Sequence, residues 1–358
     1  MWLPDIIQVE VTTACQAECI FCPHTTLHDN WISQHIKWED FSEVLPAVHR
    51  GTLVHLQGWG EPLLHPRLWD MAAAVKQKQG RVSLTTNGGL MDDEVSRELC
   101  RLKFDFVAVS LAGATPAMHG SLRPGPGLDL VCANIERLSS MKGKPDIHLD
   151  FQMMKPNLEQ LPALVELAAR VGARRVIASN LDCVTGPEID ELRAFSRAIN
   201  RQIAEIIGAA RRLGKEKNIE VDVYPLQLQA NVPVCKADPL HTVVVTAAGN
   251  IAPCVYLCLP LRSEIPRLFE GKKEAFAPFS YGHVSRGFQK VTEGQAARNF
   301  RETFEQRMQE AVMANSKRVA LLVLPGLRSV RDVTAVKGED LTSPAPELCR
   351  HCYKLYGI

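Results

Sequence analysis

The sequence predicts an α/β protein: a core of alternating strands and helices, built as a full or partial (β/α) barrel or as a doubly wound sheet, followed by a smaller α+β unit. Three observations carry this. Six short β-type runs alternate with amphipathic helical stretches, the texture changes after residue 218, and 358 residues amount to two to three times a typical domain. Strands separated by helices pair in parallel through right-handed crossovers.

The candidate strands, in order, are Asp5 to Val11, Thr52 to Gln57, Arg81 to Thr85, Phe104 to Ser110, Ile147 to Met153 and Arg174 to Asn180. Helical patterns fall between them near residues 39–49, 67–79, 91–102, 128–141 and 157–170. A long helix is expected next, because Ile189, Leu192, Phe195, Ile199, Ile203, Ile206, Ala210 and Leu213 recur at helical spacing after Gly186 and Pro187. Short β-type runs follow, including a hairpin of Thr242 to Thr246 with Ile251 to Tyr256 about Gly249 and Asn250. Residues 260–348 offer one helix near 295–314 and a run containing Pro and Ser before Cys349. The expected domains are 1–218 and 219–358, with a soft boundary near 218–234.

Apolar residues make up 46% and charged residues 23%, the balance of a soluble globular protein. A net charge of +1 gives no reason to expect a nucleic-acid or membrane-surface partner. The longest apolar runs, such as Val319 to Leu324, fall far short of the roughly 20 residues of a membrane span. Asp5 and Glu10 stand where a signal peptide needs a basic start and an apolar stretch, so a cytoplasmic protein is expected.

Eleven cysteines without an export signal point to metal ligands or buried thiols rather than to disulfides. They cluster: Cys15, Cys19 and Cys22 near the start, Cys235, Cys254 and Cys258 in the last third, Cys349 and Cys352 at the end, with Cys100, Cys132 and Cys183 apart. Cys15-Gln-Ala-Glu-Cys19-Ile-Phe-Cys22 follows the first strand directly. Three thiolates on one tight loop can hold three irons of a 4Fe-4S cluster and leave the fourth open to a small-molecule chelate. The alternative is zinc, with His24 as the fourth ligand.

That spacing and its place after strand one resemble the radical S-adenosylmethionine (SAM) superfamily, and the resemblance runs in order over roughly residues 5–180. It implies a partial (β/α)6 barrel with its chemistry at the carboxyl-end mouth. Gly58-Trp59-Gly60-Glu61-Pro62 is similar to the family's GGEP element with one glycine displaced by Trp59, so Gly60 and Glu61 would receive the SAM ammonium. Thr85-Thr86-Asn87-Gly88 resembles the TNG element, which puts Thr86 and Asn87 near the SAM ribose or methionine. Ser110 and Arg123 match a serine and an arginine that hold the ribose and the methionine carboxylate, a task suited to the guanidinium fork. Phe21 matches the aromatic position whose backbone meets the adenine. Asn180, closing strand six, is a candidate for the same face, though an Asn there also serves as a turn residue.

Cys235, Gly249, Cys254 and the Cys349-Arg-His-Cys352 pair resemble the twitch form of the auxiliary-cluster region, the shorter relative of the SPASM domain. The full SPASM pattern has about seven cysteines and two clusters; its middle cysteine series is missing here. The resemblance therefore implies one auxiliary 4Fe-4S cluster on Cys235, Cys254, Cys349 and Cys352, with Cys258 spare and structural zinc as the alternative.

The implied activity is reductive cleavage of SAM to a 5′-deoxyadenosyl radical that takes a hydrogen atom from an unreactive C–H bond. An electron donor such as flavodoxin or ferredoxin is implied with it. The expected substrate is a small molecule or cofactor precursor. The alternative is a ribosomal peptide, made less favoured by the short stretch between Met1 and Cys15, which has no room for a leader-binding domain. An Fe-S electron carrier is a third reading, against which the SAM-binding elements argue.

Overall fold

The computed structural model describes residues 2–198, 201–230, 232–318 and 342–358. All six predicted strands form: β1 (Ile6–Val9), β2 (Leu53–Leu56), β3 (Arg81–Thr86), β4 (Phe106–Leu111), β5 (Asp146–Met153) and β6 (Arg175–Asn180) lie side by side in chain order, each pair parallel. The sheet reaches further than the sequence suggested. β7 (Glu220–Val223) pairs parallel with β6, and β8 (Thr242–Val245) pairs parallel with β1. β7 falls within the soft boundary near 218–234 and β8 beyond it, and both join the core sheet. β9 (Asn250–Ala252) runs antiparallel beside β8, β10 (Ile265–Phe269) and β11 (Lys272–Phe276) make a separate hairpin, and β12 (Gly282–His283) borders β9.

Between β1 and β6 the chain forms the helices α1 (Pro23–Thr26), α2 (Trp38–Ser42), α3 (Leu68–Gln77), α4 (Asp93–Arg101), α5 (Pro116–Leu122), α6 (Leu128–Ser140) and α7 (Leu161–Val171). The alternation of each strand sorts its side chains. In β4 and β5 the fully buried Val107, Val109, Leu111, Leu149, Phe151 and Met153 face the helices. Each such side chain contributes roughly 1.5–3 kcal/mol of burial. The intervening residues line the concave face, where the Phe106 ring stacks on His55 and, 4.9 Å away, on His148. Local signals set the helix ends: the Asp92 side chain accepts the Val95 N–H at the start of α4, and α7 stops at Gly172, whose φ is +78°.

The single long helix expected after Gly186 is two, α8 (Pro187–Leu192) and α9 (Arg201–Lys217). The interruption has a cause. Arg193 bridges Met154, Ser196 bridges Gln227, and the Leu192 carbonyl accepts the Lys155 N–H at 2.8 Å, so backbone groups that would continue the helix are engaged across the chain. The expected strand over Ile251 to Tyr256 is also shorter, because β9 stops at Ala252 and Val255–Leu257 forms a 3-10 turn. Gly249 makes the hairpin turn with φ +76°.

Two helices, α10 (Phe288–Thr292) and α11 (Gln295–Arg318), follow, and residues 342–358 add 3-10 turns at Glu347–Cys349 and Tyr353–Tyr356. The run Val319 to Leu324 lies outside the described residues. No helix among the described residues is long and apolar enough to cross a membrane.

Candidate functional site

Because the core strands are parallel, their carboxyl ends share one edge, and the sequence motifs gather there. Cys15, Cys19 and Cys22 occupy the loop after β1. The loop after α5 holds it in place: Glu18 N–H donates to the Pro124 carbonyl and Ile20 N–H to the Leu122 carbonyl. Gly125, at φ +137°, brings the chain close, since a Cβ there would stand 3.2 Å from Ala17. Between these contacts Arg123 reaches inward. Its Nη1 donates to Cys19 Sγ at 3.7 Å, its guanidinium lies 5.3 Å from the centre of the Phe21 ring, and its buried Nε has no partner.

Two of these thiols are shifted. Burial first, and then Cys19 and Cys15, push the Cys22 thiol up to about 12, while burial foremost raises Cys15, with Glu61 and Cys19 adding to it. Thiols held above their ordinary value surrender their protons when a metal binds. The Ala17 N–H donates to Cys15 Sγ at 3.4 Å. The set fits a cluster with one open iron, and the orphaned Arg123 Nε fits the carboxylate of a ligand on that iron.

Gly60 and Glu61 lie against the cysteine loop. A Cβ at Gly60 would come within 2.5 Å of the Thr12 carbonyl oxygen, and Glu61 N–H donates to the Ala14 carbonyl at 2.8 Å. The buried Glu61 carboxylate accepts from Leu63 N–H, Thr86 Oγ1 and Asn87 N–H, and so pins the loop after β3 to the loop after β2. The Thr86 hydroxyl is therefore occupied by protein. Asn87 contacts Gln16 and Cys15 through its side chain. Trp59, the departure from the glycine motif, packs edge-on against Tyr256 at 5.8 Å, and its indole Nε1–H reaches the Val255 carbonyl. Ser110 faces the concave side at the end of β4. The Asn180 amide nitrogen donates to the Pro225 carbonyl, and its Oδ1 is buried with no hydrogen-bond partner.

Cys235, Cys254, Cys349 and Cys352 form the second set. Burial first, then Cys352 and Cys235, push Cys254 up to about 12; burial and Cys352 push Cys235 up to about 11; and Cys349 is raised by burial, Cys235, Cys254 and Cys352. Cys258 stands apart. It is pushed up to about 11 by burial and then by Glu10. Fully buried Arg307 ties the ligand segments together, donating to the carbonyls of Val232, Pro233 and Ser343. Among the described residues no three His, Cys, Asp or Glu side chains converge as the ligands of a single metal ion do.

Two features escaped the sequence reading. Lys354, two residues past Cys352, pairs with Asp182 at 2.7 Å, and Tyr256, two past Cys254, donates its hydroxyl to the same carboxylate at 2.8 Å. Asp182 thus ties both cysteine-bearing segments to the end of β6. Burial is the largest single influence and opposes the Lys354 ammonium, but Asp182, Tyr256 and Tyr224 together hold the lysine well above its ordinary value. At the other seam, buried Glu10 accepts Trp59 N–H at 3.0 Å and Ala247 N–H at 3.1 Å, joining the ends of β1, β2 and β8. Neither position carries a short motif that would betray it.

The radical SAM superfamily matches residues 9–168. The tungsten-containing aldehyde ferredoxin oxidoreductase cofactor-modifying protein of Pyrococcus furiosus is 24% identical over 293 residues, 78% of this chain and 77% of that protein. Mycofactocin maturase of Mycolicibacterium smegmatis is 24% identical over 48% of this chain and 43% of its own length, so this chain spans less than half of that relative. Among solved structures, Streptococcus suis SuiB bound to precursor peptide SuiA superposes with a TM-score of 0.59 at 14% identity, covering 83% of this chain and 66% of that one.

Proposed function

Residues 9–168 are a radical SAM domain, and from that premise we propose that this enzyme binds SAM on a cluster held by Cys15, Cys19 and Cys22 and acts on a small molecule or cofactor precursor, with one auxiliary 4Fe-4S cluster on Cys235, Cys254, Cys349 and Cys352. When bound and reduced, the first cluster supplies the electron that splits SAM into methionine and a hydrogen-abstracting 5′-deoxyadenosyl radical. The observation that carries the reading is Arg123, which spans the site with Nη1 on Cys19 and Nε buried and unpaired.

The chain's own residues position and enclose. Arg123 offers Nε to the methionine carboxylate. The free carbonyl of Gly60 and the remaining acceptor capacity of Glu61 suit the ammonium. Phe21 and the 122–124 loop cover the cysteines, keeping water from a reactive site. An external donor such as flavodoxin or ferredoxin supplies electrons.

Similarity over most of the chain to a protein named for modifying a cofactor supports the small-molecule reading. The peptide reading draws on the mycofactocin maturase and on the SuiB fold. Anaerobically reconstituted protein with dithionite and SAM should form 5′-deoxyadenosine, and Cys19→Ala should form none. Equal cleavage by the variant would overturn the assignment of the three cysteines.

A further inference from the structure

Tyr281 stands just before β12, and its backbone N–H donates at 2.7 Å to the carbonyl of Ile251, on the strand that leads to Cys254. Two rings fix its own: Phe279 meets it edge-on at 5.9 Å, and Phe300 lies 5.9 Å away at 68°. Tyr281, Cys254 and Cys349 all pack against one small apolar core of Val234, Leu257, Phe300, Phe304, Ala345 and Leu355. The Tyr281 hydroxyl is buried there with no hydrogen-bond partner among the described residues. Burial chiefly raises its phenol; Arg301 opposes, and Cys254, Cys349 and Cys235 add to the rise, so three of the four thiols of the second set lie within its electrostatic reach. A buried hydroxyl is costly to leave without an acceptor. Arg301 cannot serve as one, because a guanidinium offers donors only.

Resting on the auxiliary-cluster reading, we propose that Tyr281 is a positioning residue for that cluster, whose hydroxyl donates a hydrogen bond to a cluster sulfur and raises the cluster's reduction potential. The chemistry is complementary. The phenol brings a donor that lacks an acceptor, and thiols that have surrendered their protons to a metal bring sulfur acceptors that carry negative charge. The direction of the effect follows from charge. Reduction makes the cluster more negative by one electron, so a hydrogen-bond donor stabilises the reduced form more than the oxidised form. Burial strengthens the bond, because no water competes for the hydroxyl. The auxiliary cluster is thereby made easier to reduce.

The test reads the cluster rather than turnover. In the full chain carrying Cys15→Ala, Cys19→Ala and Cys22→Ala, only the auxiliary cluster would titrate. Its potential would be measured by redox titration followed by electron paramagnetic resonance, with iron content as the check on assembly. Adding Tyr281→Phe removes the hydroxyl and keeps the ring. The ratio of reduced to oxidised cluster at a fixed potential should fall roughly tenfold, a drop of about 59 mV for a one-electron couple. One exchangeable-proton coupling of the reduced cluster, identified by comparing H2O with D2O, should disappear as well, which loosened packing alone would not cause. An unchanged potential, or an unchanged set of exchangeable couplings, overturns the proposal. Should Tyr281→Phe fail to assemble, Tyr281→Leu decides on the same two readouts, and should the triple-alanine chain fail, the comparison is made with the native cysteines. Failure of the underlying reading looks different, since the wild type would then hold about four irons rather than eight.

Discussion

The Glu61 carboxylate accepts the backbone N–H of Asn87 at 2.7 Å, which makes the loops after β2 and β3 one unit. Two motifs that read as separate SAM contacts are thereby coupled: whatever Glu61 does for a ligand, it also holds Thr86 and Asn87 where they stand.

Glu61→Ala should therefore lose more than one contact. It leaves the Asn87 and Leu63 N–H groups without their acceptor, an expected destabilisation of roughly 1.5–3 kcal/mol. SAM affinity should fall with it while the cluster still assembles. Anaerobic thermal unfolding, paired with titration of SAM against the cluster's paramagnetic signal, checks both effects. A variant with unchanged stability would show that the two loops are held by other contacts.

Much of this site was legible because its parts are local. Cys15, Cys19 and Cys22 share one loop, Gly60 and Glu61 share another, and strand periodicity located all six core strands to within a few residues. What stayed hidden depends on partners distant in the chain. Nothing near residue 193 shows that Met154 interrupts the long helix, and nothing near Thr242 shows that β8 pairs with β1. Asp182 reads as an ordinary residue after a strand until Lys354 and Tyr256 arrive from segments 172 and 74 positions later. A like limit applied to Thr86, whose hydroxyl is committed to Glu61.

The Asp182–Lys354 pair should be stabilising only as a pair. Lys354→Met strands a buried carboxylate and should cost about 3–5 kcal/mol, whereas Asp182→Asn combined with Lys354→Met should cost clearly less than the two single changes added together. Urea denaturation of the four proteins gives the coupling. Additive losses would mean that the ion pair does not hold the chain end to the barrel.

Glu10 predicts a pH dependence. Burial outweighs its two backbone donors and pushes its carboxyl from 4.5 up to about 7. The folded state then binds more protons than the unfolded state between those values, so this residue's contribution to stability falls as pH rises from about 4.5 to 7 and is flat above. The loss is about 3 kcal/mol at most. Glu10→Gln, which stays uncharged like the protonated acid, should remove that slope. Denaturation of both proteins between pH 5.5 and 8 tests the sign, and parallel curves would show that Glu10 titrates near its ordinary value.

The auxiliary site yields the most exposed prediction, because it rests on which thiols stand together. Burial first, and then other thiols of the set, raise Cys235, Cys254 and Cys349, whereas Cys258 is raised by burial and then by Glu10. If the four close a 4Fe-4S cluster, reconstituted protein should hold roughly eight irons, and removing Cys15, Cys19 and Cys22 together should leave about four. Cys258→Ala should keep the full count. Cys349→Ala should lose about four irons and also loosen the chain end, because metal binding contributes to folding wherever it ties distant segments. Here that segment also carries Lys354, the partner of Asp182 at the barrel mouth, so proteolysis near residue 350 should speed up in Cys349→Ala. About four irons and one tightly held zinc in the wild type would replace the auxiliary cluster with a structural zinc site, and iron loss in Cys258→Ala would mean a different ligand set.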